Sequence, residues 1–91
     1  MEKKKLEIGK CYFVRTVTFI FTGELVKEYD DCIVLKKAAW IADTGRFANA
    51  MKSFDFSEVE PYPENMEVNV YKGALIDVSL IPLDKLPRKQ K

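Results

Sequence analysis

Ala38-Ala39-Trp40-Ile41-Ala42-Asp43-Thr44-Gly45-Arg46-Phe47-Ala48-Asn49-Ala50-Met51-Lys52-Ser53-Phe54 is the one stretch of this chain that does not alternate between apolar and polar residues. On both sides of it the period is two, the signature of β-strand. Within it Phe47, Ala50, Met51 and Phe54 recur at the spacing of one helix face. Asp43 or Thr44 is placed to cap that helix, because a short side-chain oxygen accepts from the unpaired first backbone N–H groups. Gly45 and Arg46 then fall in its first turn, where free N–H groups and the positive dipole end favour an anion. A cation at that end weakens a helix, so Arg46 beside Thr44 and Gly45 points to a ligand. The commonest use of a Phe47, Met51 and Phe54 stripe is core packing, and that of a single tryptophan such as Trp40 is to anchor a core or an interface.

The chain has 91 residues, 47% of them apolar, which makes one small domain near the size at which a single core holds without staples. So short a chain leaves apolar surface for a second copy to cover, and a homo-oligomer is expected. Cys11 and Cys32 have neither C-x-x-C nor zinc spacing. Both lie in strand-like runs, where a thiol serves as a small hydrophobe. A reducing cytoplasm is the expected setting, a bridge between the two being the alternative. Met1 to Lys5 is charged and no apolar run follows it, so no signal peptide is expected. The apolar runs are too short to span a membrane.

Residues 6–87 carry 9 basic and 13 acidic groups, a net of −4. A domain that binds long nucleic acid shows the opposite balance, because phosphate neutralisation drives that affinity. Histidine is absent, which removes the usual acid–base group at neutral pH and the commonest metal ligand. No catalytic residue, metal site or cofactor is expected.

Residues 1–9 read as a flexible charged arm, 10–82 as one domain and 83–91 as a basic tail. Lys10 to Leu25 reads as strand, with Cys11, Phe13, Arg15, Val17, Phe19 and Phe21 on one face. Arg15 interrupts that face, either at its rim with the stem packed or as a positive group aimed into a pocket. Gly23 marks a bend or bulge. Glu24–Tyr29 and Cys32–Lys36 form a hairpin about Asp30-Asp31. Glu58-Val59-Glu60 is a short strand ended by Pro61-Tyr62-Pro63. Met66, Val68 and Val70 mark another strand, Lys72-Gly73 turns it, and Ala74–Ile81 is the last; Pro87 to Lys91 reads as disordered. The expected fold is mainly β, a small five-stranded, strongly bent antiparallel barrel with a short helix inserted between the third and fourth strands.

Gly23, Leu25, Asp30 and Leu35, followed by Val70-Tyr71-Lys72-Gly73-Ala74-Leu75-Ile76 with Lys72 in the basic place, resemble the two short motifs of the Sm-like (LSm) small-barrel family. The resemblance covers Lys10–Leu35 and Met66–Ile81, and it implies a ring-forming barrel with RNA as a possible partner. Asp31-Cys32-Ile33 lacks the asparagine of that family's RNA-reading loop, and Lys72 is followed by Gly73 rather than histidine. Val14-Arg15-Thr16-Val17-Thr18, the Ala38–Phe47 string and Leu86-Pro87 together resemble, over nearly the whole chain, an uncharacterised family of phage and prophage proteins. That resemblance implies a viral accessory role in the host cytoplasm.

Three functions follow as expectations. The first is a non-enzymatic, oligomeric binder of a small nucleotide-like anion, a sponge for a cyclic oligonucleotide of host antiviral signalling. Thr44 and Gly45 at the helix start, Arg46 for bidentate phosphate contact, Trp40 to stack on a base, and Arg15 and Phe47 beside them form its candidate site. The second is an RNA-binding LSm-like ring using Lys36, Lys37 and Lys72. The third is a host-protein-binding module.

Overall fold

In the computed structural model, which describes residues 6–91, the run read as one strand from Lys10 to Leu25 is two: β1 (Cys11–Thr16) and β2 (Ile20–Glu28). The turn between them has no glycine, proline or asparagine to announce it. It is closed by Thr16, whose backbone N–H donates to Phe19 O at 2.8 Å while its Oγ1 accepts from Phe19 N–H at 2.9 Å. A threonine side chain standing in for backbone is a known but weak turn device. Its consequence is a change of parity. Val14 pairs with Phe21 and Arg15 with Ile20, so Phe19 and Phe21 leave the Phe13–Arg15 face on which unbroken alternation would put them.

The expected hairpin about Asp30-Asp31 is present, and the returning strand runs on as β3 (Cys32–Asp43). Ala38 to Asp43 is therefore strand, not part of a helical insert. Two adjacent alanines, both buried, conceal the alternation, because Lys37 at φ 51° inserts an irregularity just before them. From there Ala39 and Ile41 point inward and Trp40 outward. The short helix α1 (Phe47–Ser53) does lie between the third and fourth strands, followed by β4 (Glu58–Pro61), β5 (Val68–Tyr71) and β6 (Leu75–Ile81). A 3₁₀ turn over Lys72–Ala74 links the last two strands.

The strands form one antiparallel, open sheet in the order β4-β3-β2-β1-β6, with β5 also paired to β3. The kink at Lys37 divides β3. Cys32–Leu35 pairs with β5, and Ala39–Asp43 pairs with β4. A long bent strand can thus serve two partners and give the sheet two packed faces. On one face Cys11, Phe13, Ala39, Ile41, Phe56, Val59 and Ile81 form a core that α1 covers through Ala50, Met51 and Phe54. On the other Tyr12, Val14, Leu25, Ile33, Leu35, Ala38 and Val70 form a second core.

Both ends of the described chain are held. Leu6 packs on the second core, and Gly9 N–H donates to Leu25 O. Lys3, Lys4 and Lys5 of the expected arm lie outside the described residues. Within Pro87–Lys91, read from sequence as disordered, residues 88–91 lie along β4: Val59 and Lys91 exchange both backbone hydrogen bonds at 2.9 Å, and Arg88 donates to Ala38 O. Backbone pairing, which hydropathy does not report, fixes this segment.

Gly23 sits where the β2–β3 register shifts, as a bulge requires, and a Cβ there would stand 2.9 Å from Leu35 Cβ. Leu35 is fully buried, so the clash has no free end to move. Gly23→Ala is expected to destabilise the fold by about 1–3 kcal/mol, the usual penalty of overpacking a filled core. Urea unfolding checks this; an unchanged midpoint would show that β3 yields.

Candidate functional site

The six residues singled out from sequence do not converge on one point. Thr44, Gly45 and Arg46 form a turn between β3 and α1, with Thr44 half-buried and Gly45 and Arg46 exposed. The Asp43 carboxylate accepts from Gly45 N–H at 2.8 Å, and Thr44 Oγ1 donates to Gly45 O. Helix α1 begins only at Phe47, with Arg46 at its cap position and no side-chain cap bond. The expected cap by Asp43 or Thr44 is therefore absent, and Gly45 and Arg46 precede the helix rather than forming its first turn. The reason is local: Gly45 takes φ +72°, outside the helical region, and spends the Asp43 oxygen on closing the turn. A single seven-residue helix beginning after Arg46 offers no extended dipole to an anion. The Arg46 carbonyl accepts from Ala50 N–H at 3.0 Å, while its guanidinium has no ion pair or hydrogen bond among the described residues.

Arg15 and Phe47 do meet. The Arg15 guanidinium lies 5.1 Å from the centre of the Phe47 ring, and Phe47 is set edge-on to Phe13 at 6.3 Å. Its fork, however, is filled: Nε donates to Asp77 Oδ1 at 2.8 Å and Nη2 to Oδ2, a bidentate pair across β1 and β6. Arg15 is thus a neutralised rim cation, not a free charge in a pocket. Its hydrogen bonds, helped by charge attraction and opposed by partial burial, hold the Asp77 carboxyl below its ordinary range. A lowered folded-state pKa contributes stability that is present above the unfolded value, about 4, and is lost as pH falls through the folded value. Asp77→Asn is expected to flatten the acid limb of the stability curve below about pH 4 and to leave its alkaline limb unchanged. Thermal melts across that range check it. The effect is small, since both side chains are part-exposed.

Trp40 lies on the opposite face. It pairs across the strands with Phe21, which pairs with Val14 of the second core. The parity change at the β1–β2 turn brings Phe19 to the same place. Phe19 and Trp40 are edge-to-face with centroids 5.7 Å apart, Phe19 and Phe21 are 6.1 Å apart, and Phe21 and Tyr62 are 6.4 Å apart. Together they line a cleft of about 220 Å³. Phe19 remains 49% and Trp40 38% exposed, so these rings present faces and edges to solvent instead of filling a core. Glu60 stands opposite Trp40 in the β3–β4 register, and Arg88 holds the Tyr62 end by donating to Tyr62 O at 3.2 Å. Phe19, Phe21 and Tyr62 were not legible as site residues. The only signal for the first two was the Thr16 turn that changes their face.

The Asp30-Asp31 turn and the Lys72-Gly73 turn also come together. Lys72 N–H donates to Asp31 O, and Lys72 Nζ is held by Glu28 at 2.7 Å. Glu28, Tyr29, Asp30 and Lys72 line a small cavity there. Lys72, the cation lining that cavity, is already paired beside Asp30, an arrangement that disfavours a polyphosphate backbone, and Lys27 Nζ lies 5.4 Å from the centre of the Tyr29 ring. Cys11 and Cys32 are free and buried, and burial raises both thiol pKa values. Among the described residues no cluster of acids and cysteines has metal-binding geometry, and no helix is long and apolar enough to cross a membrane.

Compared with known proteins, the chain matches no family model, no curated protein and no solved structure.

Proposed function

We propose that the chain is a non-enzymatic, oligomeric binding protein that sequesters a small nucleotide-like ligand, with a base stacked in the Trp40 cleft. The supporting observation is the exposed aromatic cluster of Phe19, Phe21, Trp40 and Tyr62. Stacking on exposed aromatic faces is how proteins hold unpaired bases, and it contributes about 1–3 kcal/mol per base. The cleft is smaller than the roughly 300 Å³ at which pockets for drug-sized ligands begin. It takes one flat ring, so a cyclic oligonucleotide needs a second copy to complete its site. Arg46 does not line this cleft; its guanidinium, unpaired among the described residues, is the phosphate contact this reading assigns once a second copy completes the site, and its fork suits bidentate binding. The Glu60 carboxylate beside Trp40 accepts from an exocyclic amine, favouring adenine, guanine or cytosine over uracil.

The same proposal includes the fold as a variant Sm-like barrel, in which β5 crosses through the Lys72–Ala74 turn to β6 and the α1–β4 segment is an addition at the end of β3. With the phage-family resemblance, it implies a sponge that lowers the free concentration of a host antiviral signal in the cytoplasm. Trp40 is the only tryptophan, so its emission reads this cleft alone. Titration with nucleoside monophosphates and cyclic dinucleotides is expected to quench it, more for amino-bearing bases than for uridine, and Arg46→Ala is expected to weaken the response. No quenching by any of them would remove the reading. Tight oligouridine binding would favour the RNA ring instead.

A further inference from the structure

The two outer edges of the main sheet are treated differently. The β4 edge is occupied by the chain's own residues, through the paired backbone hydrogen bonds of Val59 and Lys91. Among the described residues the β6 edge has no strand beyond it. Natural edges of this kind are blunted by lysine, proline, bulges or a covering segment, because unpaired backbone groups recruit other strands. Here the edge carries Ile76 and Leu80, each 61% exposed, with Leu83 at 66% just beyond it. Its one charge, Asp77, is bound by Arg15.

The direction of the backbone groups follows from β1. Thr16 turns its N–H to Phe19 of the β1–β2 turn, so alternation turns Val14 and Tyr12 toward β2, and Cys11, Phe13 and Arg15 toward β6. Their partners Ile81, Ser79 and Asp77 face inward, which leaves the N–H and C=O of Val78 and Leu80 on the open side. The register with β1 slips at Ile76, and Pro82 follows Ile81. The regular part of the edge is therefore Asp77 to Ile81, with Ser79 at its middle.

We propose that β6 pairs with β6 of a second copy, antiparallel, about a two-fold axis at Ser79. In that register Val78 faces Leu80 of the partner subunit, and the reverse, joining two apolar pairs through hydrogen-bonded backbone. Ser79 faces its own counterpart, and Asp77 faces an isoleucine, so no like charges meet. Ile76 comes opposite the Pro82–Leu83 corner, which covers the remaining exposed apolar groups of this edge. The contact is isologous and closes at two chains. Pairing with a partner's β4 would require displacing its own residues 88–91. Pairing with β5 would match seven residues to four. The interface supplies the oligomer of the functional reading but rests on edge geometry alone, and its test involves no ligand.

Ser79 is exposed, and directly opposed residues of a non-hydrogen-bonded antiparallel pair have Cα atoms about 4.5 Å apart, within the roughly 4.4–6.8 Å that a disulfide spans. The full chain carrying Ser79→Cys is expected to oxidise to a covalent dimer, and Ile76→Cys, also exposed, is not. Both native cysteines are buried and free, so they contribute no background. By light scattering the wild-type assembly is expected at twice the 10.5 kDa of one chain or an even multiple of it, and Leu80→Lys is expected to halve it with the folded spectrum retained. A wild-type monomer, an unchanged mass in Leu80→Lys, or cross-linking of Ile76→Cys equal to that of Ser79→Cys would each overturn the proposal.

Discussion

Phe13→Ala is expected to be the most damaging single truncation in this chain, costing about 3–5 kcal/mol. Phe13 is 1% exposed, and its ring lies near-parallel to that of Phe56 with centroids 5.7 Å apart and 13° between the planes. Phe47 closes on it edge-to-face. Removing the ring leaves a void that Phe56, itself 1% exposed and wedged between α1 and β4, is poorly placed to fill. Small domains have only about 5–15 kcal/mol in total, so the loss takes a large share of the stability of a 91-residue chain. The expected fall in melting temperature is at least about 12 °C, at roughly 4–8 °C per kcal/mol for a domain of this size. Circular dichroism melts measure it directly. A fall of only a few degrees would mean that the Phe13–Phe56 stack is not the centre of the first core.

Trp40→Ala is expected to separate binding from stability. The indole is part-exposed and belongs to neither core cluster. Its loss therefore costs little folding energy but removes the largest surface of the aromatic cleft. One lost base stack is worth about 1–3 kcal/mol, or about 5–150-fold in affinity. Calorimetric titration of wild type and variant with the same cyclic dinucleotide gives that ratio, and a melt of the ligand-free variant controls for folding. Equal affinity in the two proteins would place the ligand elsewhere.

Hydropathy made most of the strands legible. The Asp30-Asp31 hairpin, the bulge at Gly23, the short strand around Val59 and the last two strands about Lys72-Gly73 all follow from alternation and turn residues. The helix between the third and fourth strands was legible from Phe47, Ala50, Met51 and Phe54. What sequence concealed was parity. The β1–β2 turn is made by a threonine hydroxyl, which leaves no glycine or proline as a mark. Missing it puts Phe19 and Phe21 on the wrong face and leaves Trp40 without its neighbours. The Ala38-Ala39 pair hid the end of β3 in the same way, because two small buried residues in succession look like neither strand nor surface. Arg15 and Phe47 could be picked out but not their use, since Asp77 reaches Arg15 from the far end of the chain. The mainly β class and the short helix follow from the sequence, but the sheet has six strands where five were expected, and it is open: β5 and β6 are joined by a 3₁₀ turn, not by a ladder.

The most direct test of the proposed ligand is native mass spectrometry of the protein purified from cells that carry nucleotide-based antiviral signalling, before and after heat release. The expected result is an oligomer that loses a small molecule with nucleobase absorbance, and a Trp40→Ala protein that carries none. An oligomer of identical mass before and after heating, from cells in which the signal is being made, would contradict it.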